Sequence, residues 1–263
     1  MDDLGRYNRE RWQAMVDAGI QYSRPWLDMD AASARERVDP EGILGEIAGR
    51  DVLCLAGGGG QQSAAFALLG ARVTVVDFCP GQLEVDRQAA RHYGLEVTTV
   101  EADMRDLSCL GEDAFDLVWH AHALGFVPDA RQVFGEVVRV LRPAGLYRLS
   151  THNPFCHGLA AEDWDGRGYR LRLPYVDGAE VKYADGDTWD VEDSEGAVRK
   201  VLGPREFRHS LSTLVNGLIE RGFAIMGLWE DGLGDPNAEP GTWAHMETIA
   251  PTGLTVWARL DGR

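Results

Sequence analysis

Four consecutive glycines, at 57–60, constrain this chain more than any other feature. They follow Val52-Leu53-Cys54-Leu55-Ala56 and precede Gln61-Gln62-Ser63 and an alanine- and leucine-rich stretch at 64–69. An apolar run, a glycine loop and a helix-forming segment in that order predict a buried parallel strand, a tight turn and a helix start. Glycine lets a ligand approach bare backbone, and the helix N-terminus offers N–H groups with no partner in the helix. The loop alone leaves the ligand open.

The segments downstream repeat the same rhythm. Strands are expected at 72–77, 96–100, 115–120 and 146–150, with helices at 80–93 and 130–141 between them. A further helix is expected at 205–221, then strands at 223–229 and 254–260. Alternation of this kind predicts a doubly wound α/β protein with a mostly parallel, seven-stranded, Rossmann-like sheet. Ligands of such sheets sit beyond the C-terminal strand ends. The glycine loop, Asp77, Asp103 and His120 all fall at that edge.

Three regions complete the expected organisation. Residues 1–48 form N-terminal helical arms that act as a lid, with helices at 4–22 and 31–48 and Pro40 starting a second helical piece. Residues 49–153 and 205–263 form the core. Residues 154–204 lose the rhythm and form a small β-rich insertion, or cap, with alternating runs such as Gly168-Tyr169-Arg170-Leu171-Arg172-Leu173.

Of the 263 residues, 44% are hydrophobic and 26% charged, and the formal net charge is −16. No apolar run reaches the roughly 20 residues that span a bilayer. The acidic start, Met1-Asp2-Asp3, lacks the basic-then-apolar order of a signal peptide, so a cytoplasmic protein with no membrane partner is expected. The acidic balance and the lack of a dense basic stretch favour a small-molecule partner over nucleic acid. Cys54, Cys79, Cys109 and Cys156 are too scattered for a zinc site or a disulfide framework, and His120-x-His122 alone does not make a metal centre. No metal is expected. Oligomeric state stays open, a homodimer included.

Several residues together resemble the class I S-adenosylmethionine-dependent methyltransferases. The first is the strand–glycine-run stretch at 52–60, with Cys54 in place of a common acid and Ala56 in place of the first glycine. Asp77 ends the second strand and Asp103-Met104 follows the third. Leu141-Arg142-Pro143-Ala144-Gly145 resembles the turn before the family's fifth strand. The Gly-Gly-Gly-Gln-Gln run is similar to that of a bacterial subgroup. The resemblance implies that S-adenosylmethionine is bound and S-adenosylhomocysteine released. It implies donor contacts from Ala56, Gly57, Gly58, Gly60, Gln61, Gln62, Asp77, Phe78, Gln82, Asp103, Met104 and His120, with Arg105 a weaker candidate. Asp77 would take both ribose hydroxyls, since a carboxylate offers two acceptors to a vicinal diol. The rival is a nicotinamide-dependent oxidoreductase, whose Gly-x-Gly-x-x-Gly spacing and Tyr-x-x-x-Lys pair are absent.

On the acceptor side the expected groups follow strands four and five. His122, His120 and His152 are candidate bases, because imidazole titrates near neutrality. Tyr7, Trp12, Tyr22, Trp26, Phe126, Asn153 and Phe155 are candidate pocket walls. The expected reaction is methyl transfer to N or O of a small molecule. Alternatives are a donor-binding protein without turnover and a methyltransferase acting on a peptide.

Overall fold

The computed structural model describes residues 1–183, 186–192, 196–232 and 234–261. Parts of the expected insertion (184–185 and 193–195) and of the expected core (233 and 262–263) lie outside the described residues.

The core strands are β1 (Asp51–Leu55), β2 (Arg72–Asp77), β3 (Val97–Glu101), β4 (Phe115–Ala121) and β5 (Leu141–His152). The insertion adds β6 (Glu180–Val181), β7 (Thr188–Glu192), β8 (Val198–Leu202) and β9 (Glu206–Phe207), and the core ends with β10 (Phe223–Asp231) and β11 (Gly253–Leu260). Seven strands form one sheet in the order β10-β11-β5-β4-β1-β2-β3. All pairings from β3 across to β5 are parallel, and β11 runs antiparallel to both its neighbours. The expected doubly wound, Rossmann-like architecture is the one observed. Helices cover both faces. One layer contains α5 (Ala130–Val140) and α6 (Leu211–Ile219), where Val133, Phe134, Val137, Leu214 and Leu218 pack on the sheet. The other contains α2 (Ala31–Val38), α3 (Gln62–Leu68) and α4 (Pro80–Tyr93), packed through Val38, Phe66, Leu83 and Ala89. With both faces covered, Val52 to Leu55 of β1 are fully buried, hence their unbroken apolar run.

Local chemistry sets the helix limits. α1 (Asp3–Asp17) starts where the Asp2 carboxylate accepts from Gly5 N–H at 2.8 Å and stops before Gly19, whose φ is +77°. It is shorter than the expected 4–22, and a 3-10 turn at Gln21–Ser23 follows. α4 matches its expected limits, with Pro80 in its first turn and Gly94 left-handed at its end. Pro40 starts no helix. The Asp39 carboxylate instead accepts from the N–H groups of Ile43 and Leu44, and Gly42 and Gly45 have positive φ.

Two further expectations, for 168–173 and for 206–207, are corrected. The 168–173 stretch forms no strand; among the described residues it contributes a single bridge, Trp164 to Tyr169. The small β-rich insertion expected at 154–204 supplies β6, β7 and β8, which form two separate two-stranded sheets, β6–β9 and β7–β8. Residues 206–207, expected as helix, are the strand β9, and α6 begins only at Leu211 behind the Ser210 cap. A short helix not anticipated from the sequence, α7 (Trp243–Ile249), precedes β11.

The Leu141-to-Gly145 turn lies within β5 as a bulge. Phe115 pairs with Leu141 and Leu117 with Leu146, so Arg142 to Gly145 are extra to the ladder. Ala144 there has φ +63°, a region that favours glycine. We expect Ala144→Gly to stabilise the fold by about 0.5–1 kcal/mol in urea unfolding, because strain is relieved. Gly145→Ala should destabilise it, because a Cβ there would meet Arg142 O at 2.8 Å.

Candidate active site

Strand order reverses between β1 and β4, and a cavity of about 410 Å³ opens beyond the C-terminal ends of these strands. Its floor is Ala56, Gly57, Gly58, Gln61 and Gln62 with Asp77, Phe78 and Gln82; Ala102, Asp103, Met104 and Arg105 form one side. His122, Phe126 and His152 form the other side, and Leu4, Asn8, Trp12, Tyr22 and Trp189 close it over.

The glycine loop is held from below by two buried carboxylates. Asp77 Oδ2 accepts from Gly58 N–H at 3.2 Å, and Asp77 Oδ1 accepts from Cys79 N–H at 2.8 Å. Asp86, fully buried on α4, accepts from Gly59 N–H and Gly60 N–H at 3.1 Å each and from the Ser63 hydroxyl at 2.5 Å. Burial pushes Asp77 up to about 6 and Asp86 up to about 7; the amide donors oppose both shifts, and Asp77 also raises Asp86. Asp86 escaped the sequence reading. Its position in mid-helix resembles a solvated face, and only the contact with a loop far away in the chain reveals its role. Where the resembled motif has an acid, Cys54 is buried under the loop, and the Asp86 charge is felt there. Ala56, standing where the motif's first glycine would be, takes φ +45°.

A nucleoside fits these residues. A Cβ at Gly58 would meet Gln82 Cβ at 2.4 Å and Asp77 Oδ2 at 3.1 Å, so bare backbone is required beside the acid. Gln82 is buried, and its Oε1 has no partner among the described residues, leaving an acceptor for a ligand donor. Asp103 lines the cavity but is already engaged. Its oxygens accept from Arg105 N–H, Nε and Nη2 at 2.7–3.1 Å, and Arg105 also bridges to Asp2 at 2.8 Å. Those contacts tie the start of α1 to the cavity.

An aromatic cage closes the top. Trp12 meets Phe126 edge-on at 5.3 Å and Trp189 at 5.8 Å, and Tyr22 meets Trp189 at 6.2 Å. Asn8, buried on α1, donates to Phe126 O and Arg205 O and accepts from Arg205 N–H. It fastens the helix to both sides of the cavity mouth.

Other expected site residues lie elsewhere. His120 is fully buried below the cavity, its Nδ1 2.9 Å from the Tyr147 hydroxyl. His120 is still within β4 and points into the core, whereas β4 ends at Ala121 and the left-handed backbone at His122 (φ +51°) breaks the alternation that would have put both imidazoles on one face, so that Ala121 and His122 line the cavity. Gly60 lies behind the floor, packed under Pro25 and Ala89. Tyr7 and Trp26 lie away from the wall, each under an arginine, Arg11 and Arg37 respectively. Asn153 accepts from Phe155 N–H, and Phe155 is exposed and stacked on Tyr175.

Beyond His152 the wall is backed by polar groups. His152, His157 and Glu206 bring their side-chain donor and acceptor atoms within 4.8 Å of one another. The two imidazoles are stacked at 4.2 Å with planes 13° apart. Their in-plane lone pairs therefore run side by side instead of converging on one point, as a metal ion would require. The arrangement is that of a hydrogen-bonded carboxylate, with His157 Nε2 at 2.9 Å from Glu206.

A Rossmann-like sheet with a nucleoside-sized cavity over a carboxylate-held glycine loop defines the class of protein. A family profile described as a methyltransferase domain matches residues 53–149. The chain is 30% identical over 246 residues to the uncharacterized methyltransferase YbaJ of Bacillus subtilis (strain 168), covering 88% of this chain and 92% of that one. A ubiquinone biosynthesis O-methyltransferase of Xanthomonas oryzae pv. oryzae (strain PXO99A) is 33% identical over 152 residues, 54% of this chain and 62% of its own length. The crystal structure of an S-adenosylmethionine-dependent methyltransferase from Mesorhizobium loti is similar with a TM-score of 0.63 and 27% identity, covering 89% of this chain and 100% of that one. The chain belongs to the class I S-adenosylmethionine-dependent methyltransferases, and S-adenosylmethionine is its methyl donor.

Asp86 gives this site a testable signature. Asp86→Asn would turn an amide N–H₂ toward the loop donors and should lower unfolding free energy by about 1–3 kcal/mol. The folded value near 7 lies above the ordinary 3.8, so the Asp86 contribution to stability falls as pH rises between the two. The Asn variant should lose that part of the slope when unliganded protein is unfolded in urea across this range.

Proposed function

We propose that the enzyme transfers the methyl group to N or O of a small molecule held in the aromatic cage, with proton removal by a histidine of the cavity wall. The observation that carries this reading is one continuous cavity that has Asp77 and the glycine loop at one end and His122 and His152 at the other.

The donor would rest on Gly57, Gly58, Gln61 and Gln62. Asp77 would accept from the ribose hydroxyls, and Gln82 would fill its missing hydrogen bond. Phe78 and Met104 would flank the adenine. When bound, the donor supplies a methyl group on a positively charged sulfur, already activated for displacement. Asp77 and Asp103 are the carboxylates lining the cavity among the described residues, and their charge suits a cation. Trp12, Tyr22, Phe126 and Trp189 exclude water and align the acceptor. Burial lowers the His122 pKa and takes His152 down to about 3, so both rings are neutral near pH 7 with a lone pair open, and burial makes each a weak base. The segments 1–48 and 154–204 act as a lid and a cap, a role supported by Trp12 and Trp189 meeting over the cavity.

A small acceptor is supported by the closed cage, by the acidic balance and by the O-methyltransferase relative. Among the described residues no helix is long and apolar enough to cross a membrane.

Asp77→Ala should weaken S-adenosylmethionine binding by about 1–3 kcal/mol in calorimetry. Wild-type affinity should fall as pH drops through about 6, where Asp77 gains a proton, and the variant should show a flatter profile. Unchanged affinity in the variant would remove Asp77 from the donor site.

A further inference from the structure

We infer that Glu206 is the positioning residue for His152 as general base, and that the acceptor this base serves is an aromatic hydroxyl. The inference rests on the methyl-transfer reading above and assigns its base and acceptor class.

His152 ends β5 and lines the cavity. Its Nε2 lies 3.6 Å from Glu206 Oε2. Glu206, only 3% exposed, starts β9, distant in sequence and brought against the wall by pairing with β6. The same Oε2 accepts from His157 Nε2 at 2.9 Å and from the Tyr183 hydroxyl at 2.9 Å. Burial alone would raise the Glu206 pKa. The hydrogen bonds from His157 and Tyr183 oppose it, and the carboxyl stays below its ordinary value. The group is therefore a fixed acceptor at neutral pH. His157, stacked on His152, holds that ring's plane.

An ionised carboxylate can only accept. It favours the His152 tautomer with the proton on Nε2, leaving Nδ1 with a free lone pair. A carboxylate behind an imidazole commonly sets the tautomer in this way. At 3.6 Å the Glu206–His152 contact is electrostatic and longer than a hydrogen bond, yet His122 lacks even this support, with no carboxylate oxygen within 4.0 Å of its ring nitrogens among the described residues. Glu206 thus distinguishes two histidines that the sequence treats alike.

The acceptor class follows from the wall. Trp12, Tyr22, Phe126 and Trp189 present flat apolar faces suited to a ring. Asp77 is taken by the donor ribose in the reading above and Asp103 by Arg105, and both lie toward the donor end. An ammonium would find no free carboxylate beside His152, whereas a neutral hydroxyl needs only a base. The hydroxyl oxygen gives its proton to His152 Nδ1 and forms the O–CH₃ bond as the S–CH₃ bond breaks, with that electron pair returning to sulfur.

The test uses the full chain labelled with ¹⁵N-histidine and loaded with S-adenosylhomocysteine. Two-bond ¹H–¹⁵N correlations, assigned with His152→Gln, should show His152 protonated at Nε2, and Glu206→Gln should shift it toward a tautomer mixture. Separately, a series of simple phenols is offered with S-adenosylmethionine. Glu206→Gln should reduce turnover of un-ionised phenols at least ~10-fold. It should change turnover of 4-nitrophenol, tested at a pH where it is ionised, by less than ~3-fold, since no base is then needed. Wild-type His152 protonated at Nδ1 overturns the inference, and that measurement needs no variant to fold. Equal losses for ionised and un-ionised phenols also overturn it. Failure of every phenol with a protein that still binds S-adenosylhomocysteine overturns the acceptor class and leaves methyl transfer standing. Failure to bind S-adenosylhomocysteine strikes the methyl-transfer reading itself.

Discussion

Two carboxylates beneath a glycine loop hold the site in shape. The N–H groups of Gly58, Gly59 and Gly60 are drawn inward to Asp77 and Asp86, and Ser63 adds its hydroxyl to the same anchor. Two acids in a dry interior are costly, as their raised pKa values record. Amide donors offset that cost, and the loop gains a fixed shape in return. The rest of the donor end depends on this loop. Gln82 packs against Gly58, the 22–25 segment lies across Gly59 and Gly60, and Gln61 Nε2 reaches back to Gln21 O and Arg24 O. The same inward turn separates this site from a dinucleotide site. There, loop amides face a pyrophosphate; here three of them face carboxylates.

The opposite side of the cavity is built differently, from segments that share no sheet. Asn8 joins α1 to the 3-10 turn at Leu124–Phe126 and to the backbone before β9. Arg105 joins Asp103 to the Asp2 cap. Met15, Ala18 and Ile20 bury themselves against Val191 of β7. The N-terminal arm and the insertion therefore meet each other above the cavity, and their aromatic side chains define its shape.

Much of the sheet and of the cavity floor was legible in the sequence. Apolar strand runs, Pro80 and Gly94 around α4, and an acid at the end of β2 are local signals, and local sequence carries them. The errors lie where tertiary contacts decide. Leu141-to-Gly145 reads as a turn but is a bulge, because β5 continues pairing with β4 on either side of it. Residues 206–207 read as helix, yet their pairing with β6 overrides that preference. His120 and His122 look equivalent in sequence, and it is the end of β4 at Ala121 and the positive φ at His122 that leave one in the core and bring the other to the cavity wall. Glu206 and Asp86 carry no local signature, because each acquires its role from partners distant in the chain.

The small core shared by α1 and the β7–β8 hairpin has a consequence for ligand entry. Among the described residues four buried side chains, with Trp12, Trp189 and Val201 packed against them, hold that unit together, against dozens within the sheet layers. Its opening free energy is correspondingly lower than that of the whole fold. Asn8 and Arg105 also tie α1 to the cavity mouth, so the contact with the hairpin is the weaker seam, while Asp77 and the glycine loop stay in place. A molecule lodged beneath Trp12 and Trp189 then acts as a guest core residue: its own apolar surface completes a hydrophobic cluster that the chain leaves unfinished.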